Sequence, residues 1–157
     1  MKKGKINSFL EAKQKIEAWC AYQERCHSDV YKKLMDLGVD NEDANVLISH
    51  LIQYNFLNEQ RYADSYVSGK FNIKKWGKRK IYIHLKQKNI PQKCIDSALK
   101  NINDDEYLSQ LKILAKKKWN ERKGTDFEKK IKTQRFLLGK GYEHELIYEV
   151  LASISDD

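Results

Sequence analysis

The stretch that decides the fold spans residues 57–99, LNEQRYADSYVSGKFNIKKWGKRKIYIHLKQKNIPQKCIDSAL. Asn58 is placed to cap a first helix, the chain breaks near Gly77, and a second helix runs from there to a stop at Asn89. Pro91 suits the first turn of a third helix, because that turn needs no N–H from it. The stretch therefore predicts a complete three-helix unit.

The same pattern recurs on both sides of this stretch. Leu34, Leu85 and Leu137 are spaced 51 and 52 residues apart. Each precedes another hydrophobic residue by five positions, and further apolar residues follow at common offsets. The equivalent sets are Val39, Ile90 and Tyr142; Ala44, Ile95 and Ile147; Leu47, Ala98 and Val150; and Ile48, Leu99 and Leu151. We therefore expect an all-α fold of three tandem three-helix repeats, stacked into an elongated, curved rod, with domains at residues 1–57, 58–103 and 104–157.

Capping signals support the helices of the outer units. Ser8 with Glu11 forms a capping box for a helix that should reach about Cys26. Ser28 is placed to cap the next helix, and Gly38 to end it. The apolar stripe of the first helix is predicted at Phe9, Ile16, Trp19, Cys20 and Tyr22 or Gln23. The other predicted helix starts are Asp40 or Asn41, the pair Asn103 and Asp104, and Thr125 with Glu128.

The positive charge of the chain is concentrated in the middle unit. The net charge is +8, and residues 58–100 hold 11 Lys and Arg against 3 Asp and Glu, whereas the segments on either side are balanced. Residues 70–140 together hold 21 basic and 7 acidic residues. Clustering of this degree indicates a polyanion or an acidic protein as partner.

Several classes of protein are disfavoured. No apolar run approaches the roughly 20 residues of a membrane span, so a cytoplasmic protein is expected. Three cysteines favour reduced thiols, and Cys20, Cys26, His27 and Cys94 lack the paired spacing of a zinc site. The chain has no GxxxxGK[ST] loop and no arrangement of nucleophile, acid and base. We expect no metal, no cofactor and no enzymatic activity.

Several short motifs together match one bacterial family. They are residues 25–28 (RCHS) followed by Leu34 and Gly38, residues 57–63 (LNEQRYA), residues 75–79 (KWGKR), residues 85–90 (LKQKNI), and Ala98 with Leu99. This pattern resembles the RecX family of regulators of the RecA recombinase over about residues 18–100. From residue 101 onward the tandem arrangement supports it more than single residues do. Asn58 with Glu59 replaces a usual acidic pair, and Asn89 a common glycine; asparagine suits both places.

The resemblance implies a non-enzymatic regulator that binds RecA, as monomer and as filament. Such a protein lies in the groove of the RecA filament on DNA and most often inhibits its ATPase, strand-exchange and coprotease activities. It would meet DNA through the filament or weakly on its own. We expect a monomer without membrane contact. Whether this chain inhibits or assists RecA is left open by the resemblance.

The candidate binding residues are basic side chains of the second and third units. They are Lys70, Lys74, Lys75, Lys78, Arg79, Lys80, Lys86, Lys112, Lys116 and Lys123. Lys112, Lys116 and Lys123 are spaced by four and seven residues, which should place them on one helix face. For the basic residues of either unit, the alternative to a binding surface is an ordinary solvent-exposed helix face. Lysine is a flexible point charge, which suits phosphates or carboxylates more than base recognition.

The tryptophans divide between packing and contact. Trp76 could stack on a base or pack at the helix junction, and Trp19 and Trp119 are predicted to be core residues.

An alternative function is also open for the whole chain. A three-helix unit with a glycine-type turn resembles a helix-turn-helix, so the protein could bind DNA directly through the basic block.

Overall fold

The computed structural model describes residues 8–155, which form nine α-helices. In chain order they are α1 (Phe9–Tyr22), α2 (His27–Asp36), α3 (Asn41–Gln53), α4 (Glu59–Asn72), α5 (Lys78–Gln87), α6 (Gln92–Leu99), α7 (Asp104–Glu121), α8 (Asp126–Lys140) and α9 (His144–Ser155). No strand occurs within residues 8–155. We call α1–α3, α4–α6 and α7–α9 the first, second and third units. The predicted all-α fold of three tandem three-helix units is confirmed.

The helix pairs with the most extensive contacts all lie within single units. The limits predicted for the three domains stay a prediction, since residues 1–7 and 156–157 lie outside the described residues. In the part of the chain that the structure describes, no helix is long and apolar enough to cross a membrane.

Polar side chains cap the starts of five helices. In each case the side chain accepts a hydrogen bond from the backbone N–H three positions on, which satisfies a donor left open at the helix start. The capping residues are Ser8, Asp40, Asn58, Asn103 and Thr125. The predicted cap at Ser28 is wrong, because α2 begins at His27 and its N-cap residue is Cys26.

The first helix is shorter than predicted, and the face that it buries differs in part from the predicted apolar stripe. It ends at Tyr22, and the following residue already has extended backbone. Ile16 and Cys20 are buried as predicted, but Ala12 completes the buried face, whereas Phe9 is 43% and Tyr22 83% exposed. Tyr22 and Gln23, the two alternatives predicted for the last position of the apolar stripe, are both exposed, so this part of the prediction is wrong.

The two tryptophans predicted as core residues have different surroundings. Trp119 is buried against the core shared by the second and third units. Trp19 is half-buried, and the guanidinium carbon of Arg25 lies 3.8 Å from the centre of its ring. A cation thus covers part of Trp19 that hydrophobic side chains leave free.

One turn geometry ends the second helix of every unit. Each of these helices leads into a residue with positive φ, namely Gly38 (86°), Asn89 (61°) and Gly141 (97°). The following N–H then donates back to the last turn, from Val39 to Leu34 O (3.0 Å), Ile90 to Leu85 O (3.2 Å) and Tyr142 to Leu137 O (3.2 Å). This is the Schellman type of helix end. The pairs are those that the sequence repeat makes equivalent.

The repeated apolar positions build two cores. Leu34, Leu85 and Leu137 are fully buried, as are Ala44, Ile95 and Ile147. The first unit has a core of its own, while the second and third units share one continuous core. The second and third units are therefore joined by hydrophobic packing, and the first unit adds Cys26 to their core.

The first unit meets the second where the start of α2 faces the end of α5. Ser28 Oγ donates to the carbonyl of Lys88 at 2.9 Å, and Lys88 Nζ donates to Asp29 Oδ1 at 2.8 Å. We call this contact the first junction. The positive end of one helix dipole faces the negative end of the other, and the carbonyl of Lys88, left open at the end of α5, gains a donor.

The second unit meets the third in the same way, with the start of α5 facing the end of α8. The N–H of Gly77 donates to Lys140 O at 2.7 Å, and the N–H of Arg79 donates to Gly141 O at 3.0 Å. We call this contact the second junction. Lys88 and Lys140 are 52 residues apart and occupy equivalent places in the two junctions. The repeat therefore extends from the helices to the contacts between units.

We expect Ser28→Ala to lower the free energy of unfolding by about 1 kcal/mol, because the Lys88 carbonyl loses its hydroxyl donor. Urea unfolding followed by circular dichroism measures the change. Ser65→Ala is the matched control, since Ser65 is exposed on α4 and the substitution there should change stability by less than about 0.5 kcal/mol. Equal stability of the two variants would contradict the role of Ser28 in the first junction.

Candidate interaction surface

Lysines of the second unit gather around Trp76, which is half-buried just before α5. Lys80 Nζ lies 4.4 Å and Lys70 Nζ 4.8 Å from the centre of the indole ring. The imidazole of His84 lies 4.7 Å from the same ring. Side chains of its own chain thus occupy the surroundings of Trp76, which favours the packing role and two cation–π contacts over base stacking.

The third unit adds two lysines to this place. Lys140 Nζ donates to the carbonyl of Lys74 at 3.1 Å, across the second junction. Burial and the positive charges of Lys80, Lys118 and Lys74 lower the pKa of Lys140. Lys118 Nζ lies 4.5 Å and Lys140 Nζ 5.8 Å from the centre of the Phe136 ring, so these two ammonium groups share one aromatic side chain. We call Lys70, Lys74, Lys80, Lys118 and Lys140 the lysine cluster.

The lysine cluster has little negative charge to balance it. In the described part of the chain, the carboxylate that pairs with a member of the cluster is Glu121, 3.1 Å from Lys118 Nζ. The cluster also spans the second junction, where backbone hydrogen bonds hold the two units together. The result is a concentrated positive surface on a rigid support, which suits an anionic partner.

The other predicted binding residues lie elsewhere. Lys78 Nζ lies 3.8 Å from an oxygen of Asp104 and 4.7 Å from the centre of the Tyr107 ring, so part of its charge is compensated. Lys75 lines a groove together with Asp105 and Glu106. Arg79, Lys86, Lys112 and Lys116 are exposed on α5 and α7. Lys123 lies beyond the end of α7, so the helix face predicted for it with Lys112 and Lys116 is wrong.

Lys118 and Lys140 are the members of the cluster that sequence reasoning missed. Lys140 had one usable signal, which is its equivalence to Lys88 in the repeat. Lys88 Nζ, however, pairs with Asp29, and that hydrogen bond raises its pKa. Equivalent places in the repeat therefore hold one compensated and one uncompensated lysine, a difference that depends on the neighbouring unit.

The first junction carries charges of both signs. A groove of about 380 Å³ opens beside it. Its charged lining residues are Glu24, Arg25, Asp29, Lys32, Lys33, Asp36 and Lys88. This mixture attracts a polyanion less than the lysine cluster does.

A buried acid lies next to the first junction. The Glu59 side chain is 12% exposed, and its Oε1 lies 3.4 Å from His27 Nδ1. Burial raises the pKa of Glu59 to about 7; the charge of Asp29 acts in the same direction and the His27 backbone N–H against it. Burial also lowers the pKa of His27. Both shifts favour the uncharged forms, so near neutral pH the two side chains are poorly described as a salt bridge.

The cysteines do not assemble a metal site. Cys20, Cys26 and Cys94 are free thiols, and within residues 8–155 no three His, Cys, Asp or Glu side chains come close enough to hold a metal ion. Burial raises the pKa of Cys20 to about 11 and also raises the pKa of Cys26. These two thiols therefore remain protonated near neutral pH.

Comparison with known proteins identifies similar chains. Residues 58–99 match the family model described as the second three-helix domain of RecX, and residues 104–151 match the model of its third three-helix domain. The regulatory protein RecX of Clostridium tetani is 32% identical over 154 residues, which cover 95% of this chain and 65% of that protein. This chain thus spans less than two thirds of that relative's length.

Two crystal structures have the same fold. The structure of RecX from Lactobacillus salivarius aligns with a TM-score of 0.84 at 24% identity, covering 95% of this chain and 97% of that one. A structure described as regulatory protein RecX also aligns with a TM-score of 0.84, at 27% identity, covering 92% of this chain and 73% of that one.

Proposed function

The chain belongs to the RecX family, and from this premise we propose that it regulates the RecA recombinase by binding it through the lysine cluster. The observation that supports the proposal is the uncompensated charge of the cluster across the second junction. RecA bound to DNA offers carboxylates and phosphates together. Ammonium groups can bind either, without reading a base sequence.

The proposed mode of action is inhibition. The chain lies in the groove of the RecA filament on DNA and holds neighbouring RecA subunits, which restrains ATP hydrolysis, strand exchange and coprotease activity. Backbone hydrogen bonds at the second junction present the lysines of two units as one surface. A preformed surface loses less conformational entropy on binding than five independent side chains would.

We expect the triple variant Lys74→Glu, Lys80→Glu and Lys140→Glu to need about tenfold more protein for half-inhibition of the DNA-dependent ATPase of RecA. Three reversed charges at about 0.5 kcal/mol each amount to roughly one factor of ten. The measurement titrates the variant into RecA with single-stranded DNA and ATP.

A triple variant of equal charge is the matched control for this experiment. Lys32, Lys93 and Lys100 are exposed outside the cluster and outside the predicted binding set, and their replacement by Glu should leave inhibition within about twofold of wild type. A cluster variant that keeps its helical circular dichroism and inhibits like wild type would contradict the assigned surface. Wild-type protein without effect on RecA at any ratio would contradict the proposed function itself.

Direct DNA binding is the second candidate function, and the same lysine cluster favours it. A protein that acts on free DNA should bind it without RecA, with an affinity that falls steeply as salt rises because counterions are released. Binding of single-stranded DNA to the chain alone at two salt concentrations separates the two functions. Strong RecA-independent binding together with unchanged RecA hydrolysis would favour the DNA-binding protein.

A further inference from the structure

A groove of about 490 Å³ lies at the second junction, beside α5. Its lining residues come from α5, from the end of α8 and from the start of α9. They are Arg79, Lys80, Ile83, His84, Leu138, Gly139, Gly141 and His144. We call it the junction groove. Its volume is within the range of sites that hold a small ligand or the side chains of a bound peptide.

The junction groove combines apolar and basic side chains. Ile83, in the middle of α5, is 51% exposed, and Leu138 is half-buried. Arg79 and Lys80 have no carboxylate partner in the part of the chain that the structure describes. No Asp or Glu of that part lines the groove. An occupant gains most from the groove if it carries both an apolar side chain and negative charge.

Gly139 leaves the groove open for no reason that lies inside the chain. It belongs to helix α8, in which alanine is the more favourable residue. A Cβ at Gly139 would meet no atom within 4 Å, so neither packing nor backbone conformation requires glycine there. Gly141 differs, because its φ of 97° and its contact with Lys80 both require glycine. A glycine such as Gly139 suits the close approach of an external group to the helix backbone.

We propose that the junction groove docks an acidic segment of a partner protein, and that one aliphatic side chain of this segment lies on Ile83 and Leu138. The segment passes close to the backbone of Gly139, and its carboxylates meet Arg79 and Lys80. A nucleic acid fits the groove less well. Its phosphates make no use of the aliphatic side chains, and no Trp, Tyr or Phe of the described residues lines the groove for a base to stack on.

The junction groove adjoins the lysine cluster, because Lys80 belongs to both. The choice of a protein as occupant rests on the proposed function, in which the partner is RecA. The groove then adds an apolar contact next to the charged one. Binding of a peptide to the chain alone needs no RecA, so failure of the docking and failure of the proposed function are distinguishable.

The first experiment titrates two synthetic peptides into the isotope-labelled full chain and follows backbone amide signals by NMR. The peptides are acetyl-EDLLED-amide and acetyl-EDSSED-amide, which have equal charge. We expect the leucine peptide to bind at least about tenfold more tightly, because burial of one leucine side chain contributes at least that factor. Its binding should shift the signals of Ile83, Gly139 and Gly141.

A peptide pair of equal affinity, or shifts confined to residues outside the groove, would overturn the proposal. The same titration with a single-stranded oligothymidylate examines the nucleic acid. If this strand shifts the groove signals and the leucine peptide does not, the groove is a phosphate site and the proposal is wrong.

The second experiment fills the groove from within. Gly139→Leu should weaken binding of the leucine peptide about tenfold, since the new side chain occupies the place of the peptide's leucine. Gly69→Leu is the matched control, because Gly69 is also helical and a Cβ there also meets no atom within 4 Å, but it lies on α4 outside the groove. The control should bind the peptide within about twofold of wild type.

Ile83→Ser provides a test that does not depend on filling the groove. It keeps the space open and removes part of the apolar lining, so it should weaken the leucine peptide severalfold and leave the serine peptide unchanged. Circular dichroism verifies the folding of every variant. A folded Gly139→Leu or Ile83→Ser variant that binds the leucine peptide as tightly as wild type would overturn the proposal.

Discussion

Replacing Gly77 by alanine is expected to lower the free energy of unfolding by about 3 kcal/mol, at the upper end of the usual cost of overpacking. The φ of Gly77 is −80°, which any residue adopts. Its need for glycine is steric, since a Cβ there would lie 2.4 Å from the carbonyl carbon and oxygen of Gly141. Both are backbone atoms, so the two units must move apart.

Moving the units apart also weakens the hydrogen bond from the Gly77 N–H to Lys140 O, now 2.7 Å long. For a chain of this size the predicted loss corresponds to about 10 °C in the midpoint of thermal unfolding. Thermal and urea unfolding followed by circular dichroism measure it.

The chain supplies matched controls for Gly77→Ala. Gly69 and Gly139 are helical, and a Cβ at either would meet no atom within 4 Å. Alanine at these positions should leave stability unchanged or raise it by up to about 1 kcal/mol, because alanine favours the helix. A Gly77→Ala variant as stable as Gly139→Ala would contradict the close contact at the second junction.

Glu59→Gln is expected to stabilise the protein relative to wild type by up to about 3 kcal/mol at pH 8 and by little at pH 5. Burial raises the pKa of Glu59 to about 7 from the ordinary value of 4.5 for a glutamate side chain. The folded state therefore holds its proton more tightly than the unfolded state does. The stability contributed by this proton is fully present below pH 4.5 and is lost as the pH rises through about 7.

The Gln variant lacks this titration, so its stability should exceed that of wild type only on the alkaline side. Urea unfolding of both proteins at pH 5 and pH 8 gives the difference in free energy of unfolding between them at each pH. The contribution of His27 largely cancels in these differences, because His27 titrates in both proteins. Glu149→Gln, on the exposed face of α9, is the control and should change stability by less than about 0.5 kcal/mol at either pH. Equal effects of Glu59→Gln at both pH values would contradict the buried, protonated acid.

The fold was predictable to a large extent because its signals are local and repeated. Apolar spacing identified Leu34, Leu85 and Leu137, which are all fully buried. Capping residues such as Asn58 marked helix starts correctly. Ser28 shows the limit of this reasoning, because the same hydroxyl that suits a cap instead donates to Lys88 O, 60 residues away. The local sequence around a serine does not reveal whether its hydroxyl oxygen accepts from a nearby backbone N–H or its O–H donates to a distant carbonyl.

The candidate surface was only partly predictable. Charge counting drew attention to Lys70, Lys74 and Lys80, which all lie in the lysine cluster. It also selected Lys78, whose charge Asp104 partly compensates. Counting includes Lys140 at the end of the basic stretch 70–140 but does not select it, because a lysine between two glycines at a helix end has no special pattern of its own.

By itself, the amino-acid sequence determined the helical units, their order and the place of the net charge, because helix periodicity, capping and charge depend on residues close together in the chain. Only the tertiary structure decided that Gly77 serves a contact between backbones, that Glu59 is buried, and that Lys140 donates to the carbonyl of Lys74 across the second junction. The physical reason is that these properties arise at the junctions between units. There, helix ends distant in sequence share hydrogen bonds, exclude water and bring like charges together.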